Sequence, residues 1–279
     1  MNIGIIGLGL IGGSMAKAIS YNTDHCVMGY DISDQAIRKA MLIKAIEKPL
    51  EKDDIASCDL IIIALYPQAS IEFIEENCDL ISPDTLVIDC GGVKECVCEK
   101  ISPIAEEKGF IFVGGHPMAG LEHSGFDNAD ATLFEGGSMI LMASSCPIQK
   151  LEALKKLFMD IGFNHIEITT PAEHDRRIAF TSQLAHVVSS SYIKSPTAME
   201  HAGFSAGSYL DLTRVAKLNE TMWTELFLEN SENLLREIDT LVDNLTKYRD
   251  AIAEGDAVTL KKLLYDGRRA KEYIDGELF

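Results

Sequence analysis

Short apolar runs alternate with amphipathic segments over the first 165 residues of the chain. The runs predict strands at residues 3–6, 26–30, 59–65, 85–89, 110–113, 138–142 and 165–168. Helical patterns lie between them, with examples at residues 68–78, 94–108 and 147–161. Continuous apolar strands separated by helices are typical of a parallel sheet that helices cover on both faces. The pattern therefore predicts a doubly wound α/β domain over residues 1–168.

From about residue 170 the apolar positions recur at helical spacing instead. Long patterns occupy residues 172–192, 222–254 and 256–278. One apolar side of the second pattern is formed by Leu226, Leu234, Ile238, Leu241 and Leu245. No linker rich in proline or glycine precedes this half, so we expect an all-helical second domain, residues 169–279, packed directly on the first. Because long helices with broad apolar faces usually need a partner surface, a homodimer through this domain is predicted.

A glycine-rich sequence connects the first predicted strand to the first helix. Gly7 permits a tight turn, Gly9 lets a pyrophosphate approach the backbone, and Gly12 lets the helix pack closely on the strand. The helix start offers free N–H groups to phosphates, and we expect Leu10 and Ile11 to contribute there. A strand, a glycine turn and a helix in this order predict a Rossmann-type dinucleotide-binding domain.

The second strand ends at Asp31, 19 residues after Gly12. This is the usual position of a carboxylate that binds the ribose hydroxyls of NAD. Its charge repels a 2′-phosphate, and residues 32–34 supply no arginine to offset that repulsion. The sequence therefore favours NAD over NADP. Since ligands bind beyond the carboxyl ends of parallel strands, we also expect Tyr66 and Gly92, which follow two strands, to line the cofactor site.

Charge and cysteine content narrow the class of protein. A formal charge of −18 over 279 residues argues against a nucleic-acid partner, which needs a basic face. Seven scattered cysteines and a chain that opens on a buried strand, with no secretion signal, predict free thiols and a cytoplasmic location. Cys90, Cys96 and Cys98 lack paired spacing or a suitable histidine, so no metal site is predicted. No apolar run reaches the length of about 18 residues that a membrane span needs.

Four side chains are candidates for chemistry, and each has a plainer interpretation. His116 follows an apolar strand and two glycines, so it can project into the cleft as a general base or merely order a loop. His186 is a pocket residue or a buried, hydrogen-bonded one. Arg214 follows a glycine-containing stretch and either clamps a carboxylate or forms a surface ion pair. Trp223, the only tryptophan, is by default a core residue.

Several segments, in order, resemble the prephenate and arogenate dehydrogenases of tyrosine biosynthesis, and the likeness runs over nearly the whole chain. They are Gly-Leu-Gly-Leu-Ile-Gly-Gly-Ser at 7–14, Asp-Cys-Gly-Gly-Val-Lys at 89–94, Gly-His-Pro-Met-Ala-Gly at 115–120, Glu-His-Asp-Arg at 173–176, Gln-Leu-Ala-His at 183–186, Asp-Leu-Thr-Arg at 211–214 and Met-Trp at 222–223. This resemblance implies an NAD(P)-binding domain followed by a helical dimerisation domain. It also implies oxidative decarboxylation of prephenate to 4-hydroxyphenylpyruvate.

The resemblance assigns a role to each candidate residue. His116 matches the catalytic histidine, which accepts a hydrogen bond from the ring hydroxyl of the substrate. Arg214 matches an arginine that binds a substrate carboxylate, and His186 matches a histidine in the substrate pocket. Trp223 corresponds to a tryptophan that helps to close the pocket of the neighbouring subunit. Lys94 lies in the segment that lines the nicotinamide side, and we expect it to contribute to substrate binding.

Two positions depart from the pattern of the family. Gly92 stands where a serine often hydrogen-bonds the catalytic histidine, so a water molecule or a backbone group is expected to hold His116. Gln183 stands where a histidine is common, which changes the polarity expected of that part of the pocket.

Three other functions stay open at this point. The first is the same reaction on arogenate, which the residues do not distinguish from the reaction on prephenate. The second is a β-hydroxyacid dehydrogenase, but residues 172–195 offer only Lys194, followed at 198 by Ala198 where that class has an asparagine. The third is a non-catalytic module that senses NAD.

Overall fold

The computed structural model describes residues 1–121 and 123–276. Its eight strands are β1 (Asn2–Ile6), β2 (Cys26–Tyr30), β3 (Lys48–Pro49), β4 (Leu60–Ile63), β5 (Leu86–Asp89), β6 (Ile111–Pro117), β7 (Ser138–Met142) and β8 (His165–Ile168). Its helices are α1 (Leu10–Asn22), α2 (Asp34–Leu42), α3 (Lys52–Ile55), α4 (Pro67–Asn77), α5 (Glu95–Lys108), α6 (Ile148–Asp160), α7 (Pro171–Ile178), α8 (Ala185–Tyr192), α9 (Gly207–Thr213), α10 (Glu220–Glu229), α11 (Ser231–Ala253) and α12 (Ala257–Ile274). A π-helical segment, Ala179–Leu184, joins α7 to α8.

The strands form one sheet in the order β3-β2-β1-β4-β5-β6-β7-β8. All neighbouring pairs up to β6 are parallel, as the apolar pattern predicts. The pairing of β6 with β7 is antiparallel, so the expectation of an entirely parallel sheet is wrong at this edge. Parallel strands need a long crossover, usually a helix, whereas the described part of residues 118–137 carries only the single 3₁₀ turn Phe126–Asn128.

Alternate side chains of the central strands pack into two separate hydrophobic cores, one on each face of the sheet. Ile62 of β4 and Ile88 of β5 pack on the face that α1 and α6 cover, together with Met15. Ile61 and Ile63 point to the opposite face, against α4 and α5. Because both faces are buried, the strands are continuously apolar rather than alternating with polar residues. This arrangement explains why the sheet could be predicted from the sequence pattern.

Several predicted helices are interrupted in the structure. The pattern at 172–192 is one run whose middle is the π-helical segment. The pattern at 222–254 is two helices, α10 and α11, separated at Asn230. The pattern at 256–278 corresponds to α12, and Leu278 lies outside the described residues. The strand β3 and the helices α2, α3 and α9 were not predicted.

The chain divides into two compact units, residues 1–230 and residues 231–279. The first contains the sheet and the helices up to α10. The second contains α11 and α12, and Asp256 caps the second of these helices by accepting bonds from the N–H groups of Val258 and Thr259. The predicted domain boundary between residues 168 and 169 stays a prediction. Among the described residues, no helix is both long and apolar enough to cross a membrane.

A buried ion pair joins β5, β6 and α5. The ammonium of Lys94 and the carboxylate of Asp89 are in contact, and both side chains are fully buried. Lys94 also donates to the carbonyl oxygen of Gly115 at 2.7 Å, and Asp89 accepts from the N–H of Gly115 at 3.2 Å. The pair therefore holds both backbone groups of the residue that precedes His116.

Replacing Lys94 by methionine tests this pair, because it leaves the Asp89 carboxylate buried without its counter-charge. We expect Lys94→Met to lower the free energy of unfolding by about 3–5 kcal/mol in urea titrations. Lys48→Met is the matched control, since Lys48 pairs with Asp54 at the surface and its loss should change stability little. Similar stabilities for the two variants would contradict the role of the buried pair.

Candidate active site

The glycine turn after β1 is close to its neighbours on one side and open on the other. Gly7 has φ +87°, and a Cβ there would lie 2.6 Å from the carbonyl oxygen of Ala64. A Cβ on Gly12 would lie 1.8 Å from the carbonyl oxygen of Gly7. A Cβ on Gly9 would meet nothing within 4 Å. The turn thus requires glycine at positions 7 and 12, and it leaves space above Gly9 for a ligand.

The helix that follows this turn can bind an anion through its first turn. Helix α1 begins at Leu10, and no side chain caps it because Gly9 is the N-cap residue. The N–H groups of Leu10 and Ile11 therefore have no partner within the helix, and both residues are only partly buried. Together with the positive end of the helix dipole, they suit a pyrophosphate.

Asp31 is held in place beside the glycine turn. One carboxylate oxygen accepts from the N–H of Leu8 at 2.7 Å, and the other accepts from the N–H of Ser33 at 2.8 Å. Each carboxylate oxygen has two lone-pair sites, so Asp31 can still accept bonds from two ribose hydroxyls. Because both backbone donors fix the side chain, its charge stays where a 2′-phosphate would have to lie.

The predicted cofactor residues and His116 lie along one edge of the sheet. Each of these residues lies at the carboxyl end of a strand. Asp31 follows β2, Gly7 follows β1, Tyr66 comes after β4, and Gly92 comes after β5. His116 lies near the same end of β6. These strands are neighbours, so four spacings of about 4.8 Å place Asp31 and His116 roughly 19 Å apart along the edge. Tyr66 is exposed and Gly92 is partly exposed. An extended dinucleotide with its adenosine end at Asp31 would therefore carry its reactive ring towards His116.

His116 belongs to a hydrogen-bonded chain of three side chains. Its Nδ1 lies 2.8 Å from Nε2 of His174, and Nδ1 of His174 lies 2.6 Å from a carboxylate oxygen of Asp175. The carboxylate can only accept, so His174 carries its proton on Nδ1, and its Nε2 accepts the proton of His116 Nδ1. The chain therefore leaves Nε2 of His116 without a proton, as a general base requires.

Asp175 anchors this chain to the start of α5. Its carboxylate accepts the N–H groups of Lys94, at 2.8 and 3.1 Å, and of Glu95, at 2.8 Å. Asp175 and His174 are almost completely buried. The positive end of the α5 dipole and three donors compensate the buried charge. His174 holds His116, so the expectation that a water molecule or a backbone group does so is wrong.

Burial keeps both histidines neutral. The pKa of His116 lies well below its usual value, chiefly because the ring is largely removed from water and secondarily because of positive charge nearby, on Lys94 and on His174 when that ring is protonated. Burial likewise lowers the pKa of His174, although the hydrogen bond to Asp175 opposes the shift. His116 is therefore available as a proton acceptor at neutral pH.

Lys94 does not have the predicted contact with a substrate. Its side chain is fully buried in the pair with Asp89, so it does not face the cleft. The sequence gives no signal for this, because a lysine that follows a glycine turn is usually exposed. Lys94 therefore holds the backbone next to His116 and does not bind a substrate directly.

His186, Trp223 and the backbone next to Arg214 form a second cluster. The rings of His186 and Trp223 lie 4.0 Å apart between centroids. Nδ1 of His186 lies 3.2 Å from the carbonyl oxygen of Val215. The pKa of His186 is lowered by burial first and also by the charge of Arg214. Within residues 1–121 and 123–276, no hydrogen bond joins His186 to His116.

Helix α10 connects this second cluster to the edge of the sheet. Glu225 accepts the N–H of Gln68 in the first turn of α4 at 2.8 Å. Leu226 faces Gly92, where an added Cβ would lie 3.4 Å from it. Since Trp223 lies one turn earlier on the same helix, α10 brings the His186 cluster to the edge that carries Tyr66 and Gly92.

Sequence reasoning missed His174, Asp175 and the placement of Gln183. His174 and Asp175 lie in the segment 173–176, and a histidine next to an aspartate was the available signal. Gln183 is buried and donates to the carbonyl oxygen of Leu226 at 2.9 Å, so it does not add polarity to an open pocket. In the described part of the chain, no three His, Cys, Asp or Glu side chains are grouped to hold a metal. Burial raises the pKa of Cys90 to about 12, so this thiol stays protonated.

The fold and the site together define a dinucleotide-dependent dehydrogenase, and comparisons with known proteins show its family. A model of the prephenate dehydrogenase nucleotide-binding domain matches residues 15–167. A model of the prephenate dehydrogenase dimerization domain matches residues 170–266. The chain belongs to the prephenate dehydrogenase family. The predictions of this family, of the Rossmann-type fold followed by a helical region, and of a dehydrogenase are confirmed.

Individual relatives agree with this assignment. Prephenate dehydrogenase of Bacillus subtilis is 30% identical over 98% of this chain and 75% of its own length. The crystal structure of prephenate dehydrogenase from A. aeolicus, in complex with hydroxyphenyl propionate and NAD+, is 27% identical and covers 98% of both chains with a TM-score of 0.85. The structure of Synechocystis arogenate dehydrogenase is 25% identical and covers 97% of this chain and 99% of its own, with a TM-score of 0.80. The nucleotide-binding domain and the NAD+ in the A. aeolicus enzyme support NAD as the cofactor.

The lowered pKa of His116 has a measurable consequence. In the folded protein the ring should take up its proton only well below pH 6.5, whereas the unfolded chain does so near 6.5. The unfolded state therefore binds more protons between the two pKa values, so this group makes the fold less stable as the pH falls below 6.5. NMR titration of the histidine rings, with His116→Asn to assign the signal, measures the midpoint. A midpoint at or above 6.5 would contradict the burial argument.

Proposed function

We propose that the chain is an NAD-dependent prephenate dehydrogenase, which converts prephenate to 4-hydroxyphenylpyruvate and carbon dioxide. The single observation that carries this proposal is the chain from His116 through His174 to Asp175 at the edge of the sheet where the nicotinamide is expected. It supplies a neutral base with a defined free nitrogen, and the reaction requires removal of a proton from a ring hydroxyl.

His116 accepts the proton of the ring hydroxyl on its Nε2 as the carbon that bears this hydroxyl loses a hydride. Bound NAD supplies the hydride acceptor. The positive charge that forms on His116 is shared with His174 through their hydrogen bond and is balanced by Asp175. The electron pair of the breaking carbon–carbon bond then enters the ring as carbon dioxide leaves, so the ring becomes aromatic. His116 returns its proton to the ring oxygen, which gives 4-hydroxyphenylpyruvate and the neutral base. Aromatisation provides the thermodynamic drive, and the protein chiefly orients the hydride and holds the proton.

Arg214, His186 and Trp223 form the proposed substrate-binding group. A guanidinium binds a carboxylate through two parallel bonds, which suits a substrate that carries two carboxylates. The partly buried ring pair of His186 and Trp223 offers an apolar surface with one polar edge. Tyr66, Gly92, Asp31 and the glycine turn form the proposed cofactor-binding group. The closing of a neighbouring subunit's pocket by Trp223 stays a prediction.

Arogenate is the second candidate substrate, because Synechocystis arogenate dehydrogenase is similar over nearly the whole chain. The two substrates share the ring and the hydroxyl, and they differ where arogenate has an amino group and prephenate has a keto group. The same base and the same relay serve either one. Parallel assays with both substrates decide between them.

A homodimer through the helical region is part of the proposal. The exposed residues Leu235, Val242, Leu245 and Ile252 follow one side of α11 at spacings of seven, three and seven. This is the heptad spacing of a helix that packs against another helix. The match of residues 170–266 to a dimerization-domain model supports the same partner, and light scattering measures the mass directly. A cytoplasmic location is proposed with it, on the strength of the free cysteines.

The test of the proposed reaction is NADH formation by the purified protein with NAD and prephenate or arogenate. We expect His116→Asn to lower kcat by about 10²–10⁴-fold, because general-base catalysis contributes that much. The dissociation constant for NAD should change little, since the glycine turn and Asp31 are unaltered in this variant. His165→Asn, at an exposed position, is the control. No turnover of either substrate by the wild type, or an unchanged kcat in His116→Asn, would refute the proposal.

Asp175→Asn tests the relay itself. The amide oxygen can still accept the N–H groups of Lys94 and Glu95, but the amide nitrogen now donates to Nδ1 of His174. His174 must then carry its proton on Nε2 and donate to His116, which places a proton on the nitrogen that should act as base. We expect a fall in kcat on the order of 10²–10⁴-fold.

Asp160→Asn is the control for the loss of one negative charge, because Asp160 pairs with Lys156 at the surface. A kcat of Asp175→Asn within twofold of the wild type would show that the relay does not set the protonation of His116. Urea unfolding of both variants separates loss of fold from loss of catalysis.

A further inference from the structure

Two buried amide side chains lie between the relay and helix α10. Gln183 and Asn230 are almost completely buried. Nδ2 of Asn230 donates to the backbone carbonyl of Asp175 at 2.8 Å and to Oε1 of Gln183 at 2.8 Å. Nε2 of Gln183 donates to the carbonyl oxygen of Leu226 at 2.9 Å. The two amides therefore join α7, the π-helical segment and α10 through three hydrogen bonds.

These bonds contact the two parts of the site that would bind the same substrate, the chain that ends at His116 and the cluster of His186 and Trp223. The backbone of Asp175 is fixed by Asn230, while its side chain sets the proton on His174. The backbone of Leu226 is fixed by Gln183, and Trp223 lies one turn earlier on the same helix. We therefore expect a change at the amide pair to alter the distance between His116 and Trp223.

The local backbone supports this interpretation. Gln183 belongs to the π-helical segment, and such wide turns are uncommon and frequently lie at functional sites. Asn230 occupies the single break between α10 and α11. The amide of Asn230, at the break between α10 and α11, donates to the amide of Gln183 in the π-helical segment. This bond fixes the position of one irregular segment relative to the other.

We propose that Gln183 and Asn230 are positioning residues, which hold the relay helix α7 and the pocket helix α10 in one fixed arrangement. The inference rests on the proposed function for its kinetic consequence, but its structural consequence can be measured without turnover. Both side chains are almost completely buried, so we expect neither to touch the substrate. Their effect is to set the distance between His116 and the group of His186 and Trp223.

Asn230→Leu and Gln183→Met test the proposal, because both keep the approximate volume and remove the hydrogen bonds. We expect kcat/KM for the substrate to fall by about tenfold or more, since displacements of about 1 Å at a reacting centre cost up to about a hundredfold. The KM for NAD should change less than twofold, because the glycine turn and Asp31 lie elsewhere. Gln183→His should retain most of the activity, since a neutral imidazole offers one donor and one acceptor in the same place.

Asn77→Leu is the matched control. Asn77 is also a buried asparagine whose amide donates to a backbone carbonyl, that of Phe73, but it lies at the far end of α4. We expect Asn77→Leu to lose stability in urea while its kinetic constants stay unchanged. The double variant Asn230→Leu/Gln183→Met removes both partners of the bond between the two amides, so its loss of stability should be smaller than the sum of the two single losses while it keeps their kinetic loss.

Intrinsic fluorescence provides the readout that does not depend on turnover. Trp223 is the only tryptophan, and its ring lies against His186, so its emission reports the position of α10. We expect the emission of the ligand-free protein to change in Asn230→Leu and Gln183→Met, and to stay the same in Asn77→Leu and Gln183→His. Emission and kinetics equal to those of Asn77→Leu would overturn the inference. Altered emission in a protein whose wild type turns over neither substrate would refute the proposed reaction and leave the positioning role intact.

Discussion

The site depends on one buried carboxylate. Asp175 is removed from water, and it is tolerated there because the N–H groups at the start of α5 and the ring of His174 all donate to it. These donors come from two parts of the chain, the start of α5 and the helix α7. The contact that attaches α7 to the start of α5 is therefore also the contact that decides which nitrogen of His116 is free. Stability and proton placement are set by the same three donors.

Net charge makes local electrostatics decisive. The chain carries −18, yet its proposed cofactor and substrate are anions. Several basic side chains cannot help, because Lys94 is neutralised by Asp89, and Arg176 and Arg177 are bonded to Glu173. Oriented backbone offers a different attraction, above all at the uncapped start of α1. Such short-range donors bind an anion without changing the field of the whole molecule.

Local patterns predicted most of the fold, but they missed the hydrogen-bonded chain that holds His116. The glycine turn, Asp31 and the apolar strands each occupy a few neighbouring residues, so spacing alone reveals them. The bond between His116 and His174 joins residues 58 positions apart, and no periodicity encodes such a pairing. The burial of Lys94 was equally invisible, because it depends on Asp89 and on the backbone of β6. Helix breaks at Asn230 and in the π-helical segment carry no proline or glycine, so the sequence offered no signal for them.

The relay resolves a conflict between burial and basicity. A histidine shielded from water stays neutral and ready to accept a proton, but the same shielding lowers its pKa and makes it a weaker base. A carboxylate in direct contact would restore basicity, yet it would also favour the protonated resting state. Placing His174 between them keeps His116 neutral before the reaction and lets Asp175 stabilise the charge only as it forms. Since aromatisation of the substrate supplies the drive, a weak base that is always available serves better than a strong one that is often protonated.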